Sequence, residues 1–156
     1  MMLAYRLVRL IETHSEALAT SLLHKVQHSG LTSAYLAAVP ADELKQRVFE
    51  IYRHLGDWLL GKTEVDIEKR YHEIGAVRAS QGVPLQELVW AIVLTKENLW
   101  DFLKREAVLD RAVEVFGELE MLQLLDQFFD RAIYYAAAGY EQEMALHHAG
   151  QSAGVR

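Results

Sequence analysis

Residues 71–85 read YHEIGAVRASQGVPL. Glycine after a helical run and proline shortly beyond it are the usual signs of one helix stopping and another starting. Gly82 and Pro84 stand in that relation here, so the stretch reads as two helices joined by a tight turn. Ile67, Tyr71 and Ile74 step by threes and fours along the first of them, and the next position on that line is Arg78. A permanent cation thus stands where an apolar stripe should continue.

The pattern extends both ways as further helices. Thr63 is expected to cap the helix that runs to Gln81, with Glu64 and Asp66 favourably placed at its start. Beyond Pro84, Leu85, Leu88, Val89, Ile92, Val93, Leu99, Trp100 and Leu103 trace one helical face. Trp90 and Leu94 widen it, which predicts a central helix. Upstream, Leu3, Leu7, Leu10, Ile11, Leu18 and Leu22 predict a single helix from Leu3 to His28, ending at Ser29-Gly30. A short helical turn over Ser33 to Ala38 follows. Pro40-Ala41-Asp42-Glu43 then opens a helix with Leu44, Val48, Ile51, Tyr52, Leu55 and Leu59 on one face and Gly61 as its stop. No alternation of the strand type competes, so the class is all-α.

From Asp110 to His148 nothing forces a stop, since Gly117 and Gly139 each cost only about 1 kcal/mol relative to alanine in a helix interior. One long helix is predicted, with two apolar stripes. Val115, Leu119, Leu122, Phe129, Ile133, Ala136, Tyr140 and Met144 form the first, and Met121, Leu125, Phe128, Ala132 and Tyr135 the second. One stripe can bury against the domain itself; the other, left in water, would exceed the apolar patch that monomers usually expose. A second copy of the chain is the expected cover, the alternative being a helix enclosed within its own domain; Leu122, Phe129, Ile133, Ala136, Tyr140 and Met144 are the candidate dimer interface, and Asp126 is either a polar register element in the seam or a rim residue.

The composition is that of one folded domain: 156 residues, 51% hydrophobic and 24% charged. Such a chain is long enough to bury a core without staples. A net charge of -6 without a basic cluster argues against nucleic acid or an anionic membrane as partner. No apolar run reaches the roughly 18 residues of a membrane span, and Arg6, Arg9 and Glu12 interrupt any signal-peptide core. With no cysteine, thiol chemistry and Cys-zinc sites are excluded, and a cytoplasmic location is expected.

Catalytic and metal motifs are missing as well. His24 and His28 share a helical face, but they lie in a last turn where positive charge is welcome anyway. No histidine has a glutamate three residues before it, which excludes a Glu-x-x-His di-iron bundle. There is no nucleophile elbow and no phosphate-binding glycine loop. No metal, no cofactor and no enzyme activity are expected. His14 is predicted on the apolar side of the first helix, and Trp58, Trp90 and Trp100 as core or interface residues.

Ile74-Gly75-x-x-Arg78-x-x-x-Gly82-Val83-Pro84 resembles the segment of bacterial globin-coupled sensors in which a proximal histidine binds haem iron. Arg78 takes the histidine position. The wider run from Tyr71 to Leu103, with Gln81-Gly82-Val83-Pro84-Leu85, Leu88 and Leu99-Trp100-Asp101-Phe102-Leu103, resembles the N-terminal domain of RsbR and RsbRD-type stressosome proteins. That resemblance implies a non-haem, globin-like sensory domain of about six helices over residues 1–148, dimeric and projecting from the stressosome core. It also implies a helix leading into a C-terminal STAS domain that recruits a switch kinase, or in related proteins a histidine kinase. Residues 149–156 would then be a tail or the start of a linker to an output domain, because no STAS-like βαβ pattern follows residue 148.

Arg78 can be weighed without the resemblance. A guanidinium offers donors but no lone pair, so it cannot replace the imidazole that ligates iron. A haem reading would have to use another histidine, His72 or His54, and His72 is off the Ile67, Tyr71, Ile74 line. Within the last turn of its helix Arg78 is expected to lay its stem on apolar surface and reach outward with its head. Alternatively it anchors an anion or a carboxylate, with Glu73, Glu97 and Asp101 as candidates. Arg78, Tyr71 and Ile74 together form the candidate pocket or switch.

Overall fold

The computed structural model describes residues 6–106 and 112–154. The expected apolar position Leu3, the helix start at Asp110 and the side chain of Val115 lie outside the described residues. The elements are α1 (Arg6–Thr13), α2 (Ser15–His28), α3 (Ser33–Ala38), α4 (Ala41–Arg53), a π-helical turn (Asp57–Gly61), α5 (Glu64–Ser80), α6 (Leu85–Glu106) and α7 (Ala112–Gly154). The described residues contain no strand. The all-α class and the long last helix are as the spacing predicts.

Two predicted helices are each divided. The first breaks at His14, whose N–H points to both Leu10 O (3.2 Å) and Ile11 O (3.1 Å) while its ring Nδ1 lies 2.9 Å from Leu10 O. Main chain and side chain of one residue converge on the same carbonyl, and such insertions into the ladder are where helices bend. His14 is exposed, yet its ring meets that of buried Phe102 at a centroid distance of 5.4 Å, and Ser15 takes the buried place beside it. The second division follows α4. Past His54 the chain widens into the π turn, closed by Lys62 N–H donating to Asp57 O at 2.7 Å. Trp58 on this turn meets Tyr71 and Phe128, with ring centroids 6.2 and 5.9 Å away.

Thr63 caps α5 as predicted, in a capping box with Asp66: its N–H donates to Asp66 Oδ2 (2.9 Å) and its Oγ1 accepts from Asp66 N (3.3 Å). The other end of α5 is a Schellman turn. Gly82, at φ +80°, is the residue that must be left-handed; Val83 N–H returns to Arg78 O (3.1 Å) and Gly82 N–H to Ala79 O (3.1 Å). Glycine is required there by conformation.

Gly75 and Gly139 are required for a different reason. A Cβ on Gly75 would overlap the carbonyl of Ala136 and lie 2.9 Å from Tyr140 N, and one on Gly139 would overlap the carbonyl of His72. With Ala132 and Ala136 fully buried beside them, α5 and α7 touch backbone to backbone. Arg131 at Glu64 and Gly139 at His72 show that the two helices run in the same sense.

Helix α6 is central, as its wide face predicts. It buries Leu88, Ala91, Leu94, Leu99, Phe102 and Leu103 and carries a polar knot into the core. Asn98 Nδ2 donates to Leu18 O (2.9 Å) and the Tyr52 hydroxyl (3.2 Å), its Oδ1 accepts from Ser21 (3.1 Å), and Tyr52 donates to Thr95 O (2.9 Å). These bonds satisfy buried groups of α2, α4 and α6 together, which pins the three helices in register.

The two stripes of α7 do not divide between two neighbours as the spacing suggests. Met121, Leu125, Phe128 and Ala132 of the second stripe are buried in the chain's own core, and so are Phe129 and Ala136 of the first. On a helix these six positions form one broad face. Leu122, Ile133, Tyr140 and Met144 lie along its edge, half-buried, beside exposed Leu119. Asp126 is also at that edge and pairs with Lys96 of α6.

Candidate functional site

Arg78 does not reach outward. Its side chain is 3% exposed, and its Nη1 donates to Glu43 Oε1 (2.9 Å) and Gln81 Oε1 (2.8 Å). Its partner is therefore Glu43, not Glu73, Glu97 or Asp101; Asp101 is instead bound by Lys25 Nζ at 2.7 Å. Tyr35 closes the site from α3, its ring centroid 5.5 Å from the guanidinium carbon. Arg78 Nε is buried without a hydrogen-bond partner.

The location has an electrostatic logic. Glu43 stands in the first turn of α4 and Arg78 in the last turn of α5, so each charge complements its own helix dipole before they meet. Burial raises the Tyr35 phenol above its ordinary pKa, and the Arg78 hydrogen bond holds the Glu43 carboxyl below its own. Glu87, in the first turn of α6, accepts the Tyr35 backbone N–H at 3.1 Å. The starts of α3 and α4 and the end of α5 thus gather around one guanidinium, with the start of α6 tied to α3 beside it.

The other two candidate residues are placed apart from it. Tyr71 is buried in an aromatic group with Trp58 and Phe128, its ring 5.7 Å from the latter, and burial raises its pKa. It also lines a surface cleft of about 430 Å³ with His54, Trp58, Lys62 and Arg70. Ile74 is half-buried against the core. The predicted trio is therefore one charged junction and one aromatic wall. Glu43 and Tyr35 were not legible as its partners, because only the folding of α3 and α4 over the end of α5 brings them to Arg78, whereas Gln81 follows it by three residues at the same helix end.

His54 is exposed at the rim of the cleft, and His72 is half-buried and contributes its carbonyl to the contact with Gly139. His24 and His28 stack on the surface of α2 with centroids 4.0 Å apart, and among the described residues no three metal-ligating side chains gather. No described helix is long and apolar enough to cross a membrane.

Among the described residues, three carboxyls are held below their ordinary range: Glu43 by Arg78, Asp101 by Lys25 and Asp66 by Thr63. A lowered folded pKa contributes stability that is present above the unfolded value and lost as pH falls through the folded one. The melting temperature should thus be level from neutral pH to about 5 and fall below about pH 4. Circular dichroism melts across that range check this, and a melting temperature that rises on acidification would contradict it.

The profile of the RsbT co-antagonist protein rsbRD N-terminal domain matches residues 16–153. Comparison with curated proteins and with solved structures gave no match.

Proposed function

The chain belongs to the rsbRD N-terminal domain family, and from that premise we propose that it is a non-enzymatic regulatory domain of a cytoplasmic stressosome-type system. In this reading it forms a parallel homodimer and passes a conformational bias along α7 to an output module, a STAS or kinase domain. Stressosome scaffold proteins and a switch kinase are its partners in that assembly. The observation that carries the relay is α7 itself: 43 residues long, bound to α5 through residue 140 and exposed over residues 145–151. A helix that continues past its own domain offers a lever for another.

The edge of α7 supports the dimer. Ile133, Ala137, Tyr140 and Met144 step four, three and four residues along it, the spacing of a two-helix seam. Sedimentation at micromolar concentration tests the pairing. Wild-type chain should sediment as a dimer and Ile133→Glu as a folded monomer, since a carboxylate at a half-buried edge can stay hydrated in the free chain. Phe129→Glu should instead unfold the chain, because Phe129 is 1% exposed within a single copy. A wild-type chain that stays monomeric at every accessible concentration refutes the dimer.

A further inference from the structure

A continuous set of bonds joins the buried Arg78 to the point where α7 leaves the domain. Glu43 and Gln81 hold the guanidinium, and the carbonyl of the same Arg78 accepts Val83 N–H across the Schellman turn (3.1 Å). The carbonyl of Val83, a residue with no exposure, accepts the Tyr140 hydroxyl at 2.6 Å. Among the described residues this is the last side-chain hydrogen bond that α7 makes to the rest of the chain. Some 14 residues follow to Gly154, about 21 Å of helix at the usual rise.

We propose that the Glu43–Arg78 pair and the Tyr140–Val83 bond act as one tether, in which the intact pairing of the α4–α5 junction fixes the angle at which α7 projects. The two bonds end five residues apart on one covalent stretch, at Arg78 in the last turn of α5 and at Val83 in the turn that follows it. That turn has little freedom of its own, with Val83 fully buried and Gly82 held left-handed by two backbone bonds. Freed from either side, the turn loses one of the contacts that define it. Coupling of this kind is reciprocal: whatever loosens the junction loosens the projecting helix, and the converse. The regulatory purpose rests on the relay reading above, but the geometry can be tested without any output module.

The chain has no cysteine, so spin labels can be placed uniquely. Lys69→Cys on exposed α5 and His148→Cys on exposed α7 report the angle of the projecting segment as a distance distribution, measured with labelled chain diluted into unlabelled chain. Tyr140→Phe and Glu43→Gln, introduced separately, should each shift or broaden the distribution beyond its wild-type width. The double variant should do no more than the larger single one. Should Glu43→Gln fail to fold, Gln81→Ala removes the second acceptor of Arg78 and takes its place. An unchanged distribution in Glu43→Gln or Gln81→Ala, or effects of the two sides that add, would overturn the tether. A monomeric chain that still shows the shared effect would sink the dimer and leave the tether standing.

Discussion

Replacing Gly139 with alanine should cost about 4 kcal/mol or more, a loss in the exceptional range for a single substitution. The added Cβ would overlap the His72 carbonyl and lie 2.7 Å from His72 C and 2.8 Å from its Cα. All three are backbone atoms of a packed helix, so no rotamer change relieves the overlap and α5 must move off α7. Overpacking among side chains commonly costs 1–3 kcal/mol, and backbone that cannot yield costs more. Intrinsic helix propensity acts the other way, favouring alanine by about 1 kcal/mol. The same exchange at Gly150, in the same helix with nothing within 4 Å of the added atom, should therefore leave stability unchanged or raised. Thermal melts decide: a drop on the order of 10 °C is expected for Gly139→Ala. Equal melting temperatures for the two variants would show that α5 and α7 do not meet through their backbones. Gly75→Ala should behave as Gly139→Ala, because its Cβ would enter the Ala136 carbonyl.

The same glycine marks the limit of what the sequence discloses. Gly139 reads there as a tolerable weakness in a long helix, since spacing reports which face is apolar and not how near another backbone comes. Helix starts and stops were legible because their causes are local: Thr63 with Asp66, Gly82 at positive φ, and Pro84 after it. The break at His14 was not, because it arises from a side chain competing for one carbonyl within an otherwise continuous apolar pattern. The same reason explains α7. Its periodicity identifies the apolar positions correctly, yet two stripes about 100° apart are also one wide face, and only the packing of α5 and α6 distinguishes these. At the site, Arg78 stood out because a cation interrupted an apolar line, while its partner lay thirty-five residues away on another helix.

Burial of the two partners in the charged junction is unequal, and that predicts unequal costs. Arg78 has a side-chain exposure of 3% and Glu43 of 33%. Glu43→Ala would leave a guanidinium inside the protein without a charged partner, held by Gln81 and Tyr35, with Nε already lacking an acceptor. Stripping the partner from a buried charge costs about 3–5 kcal/mol, and that range is expected here. Arg78→Met does the reverse. It removes the buried charge, keeps much of the stem, and leaves a carboxylate with a third of its side chain in water, so its cost should stay below about 1.5 kcal/mol. The double variant should then be more stable than Glu43→Ala alone, since the second change removes the charge that the first left stranded. Urea unfolding of the wild type and three variants closes the cycle. If the double variant is no more stable than Glu43→Ala alone, the stranded charge was not what made that change costly, and the guanidinium contributes through its packing against Tyr35 and the α5 terminus instead of through the pair.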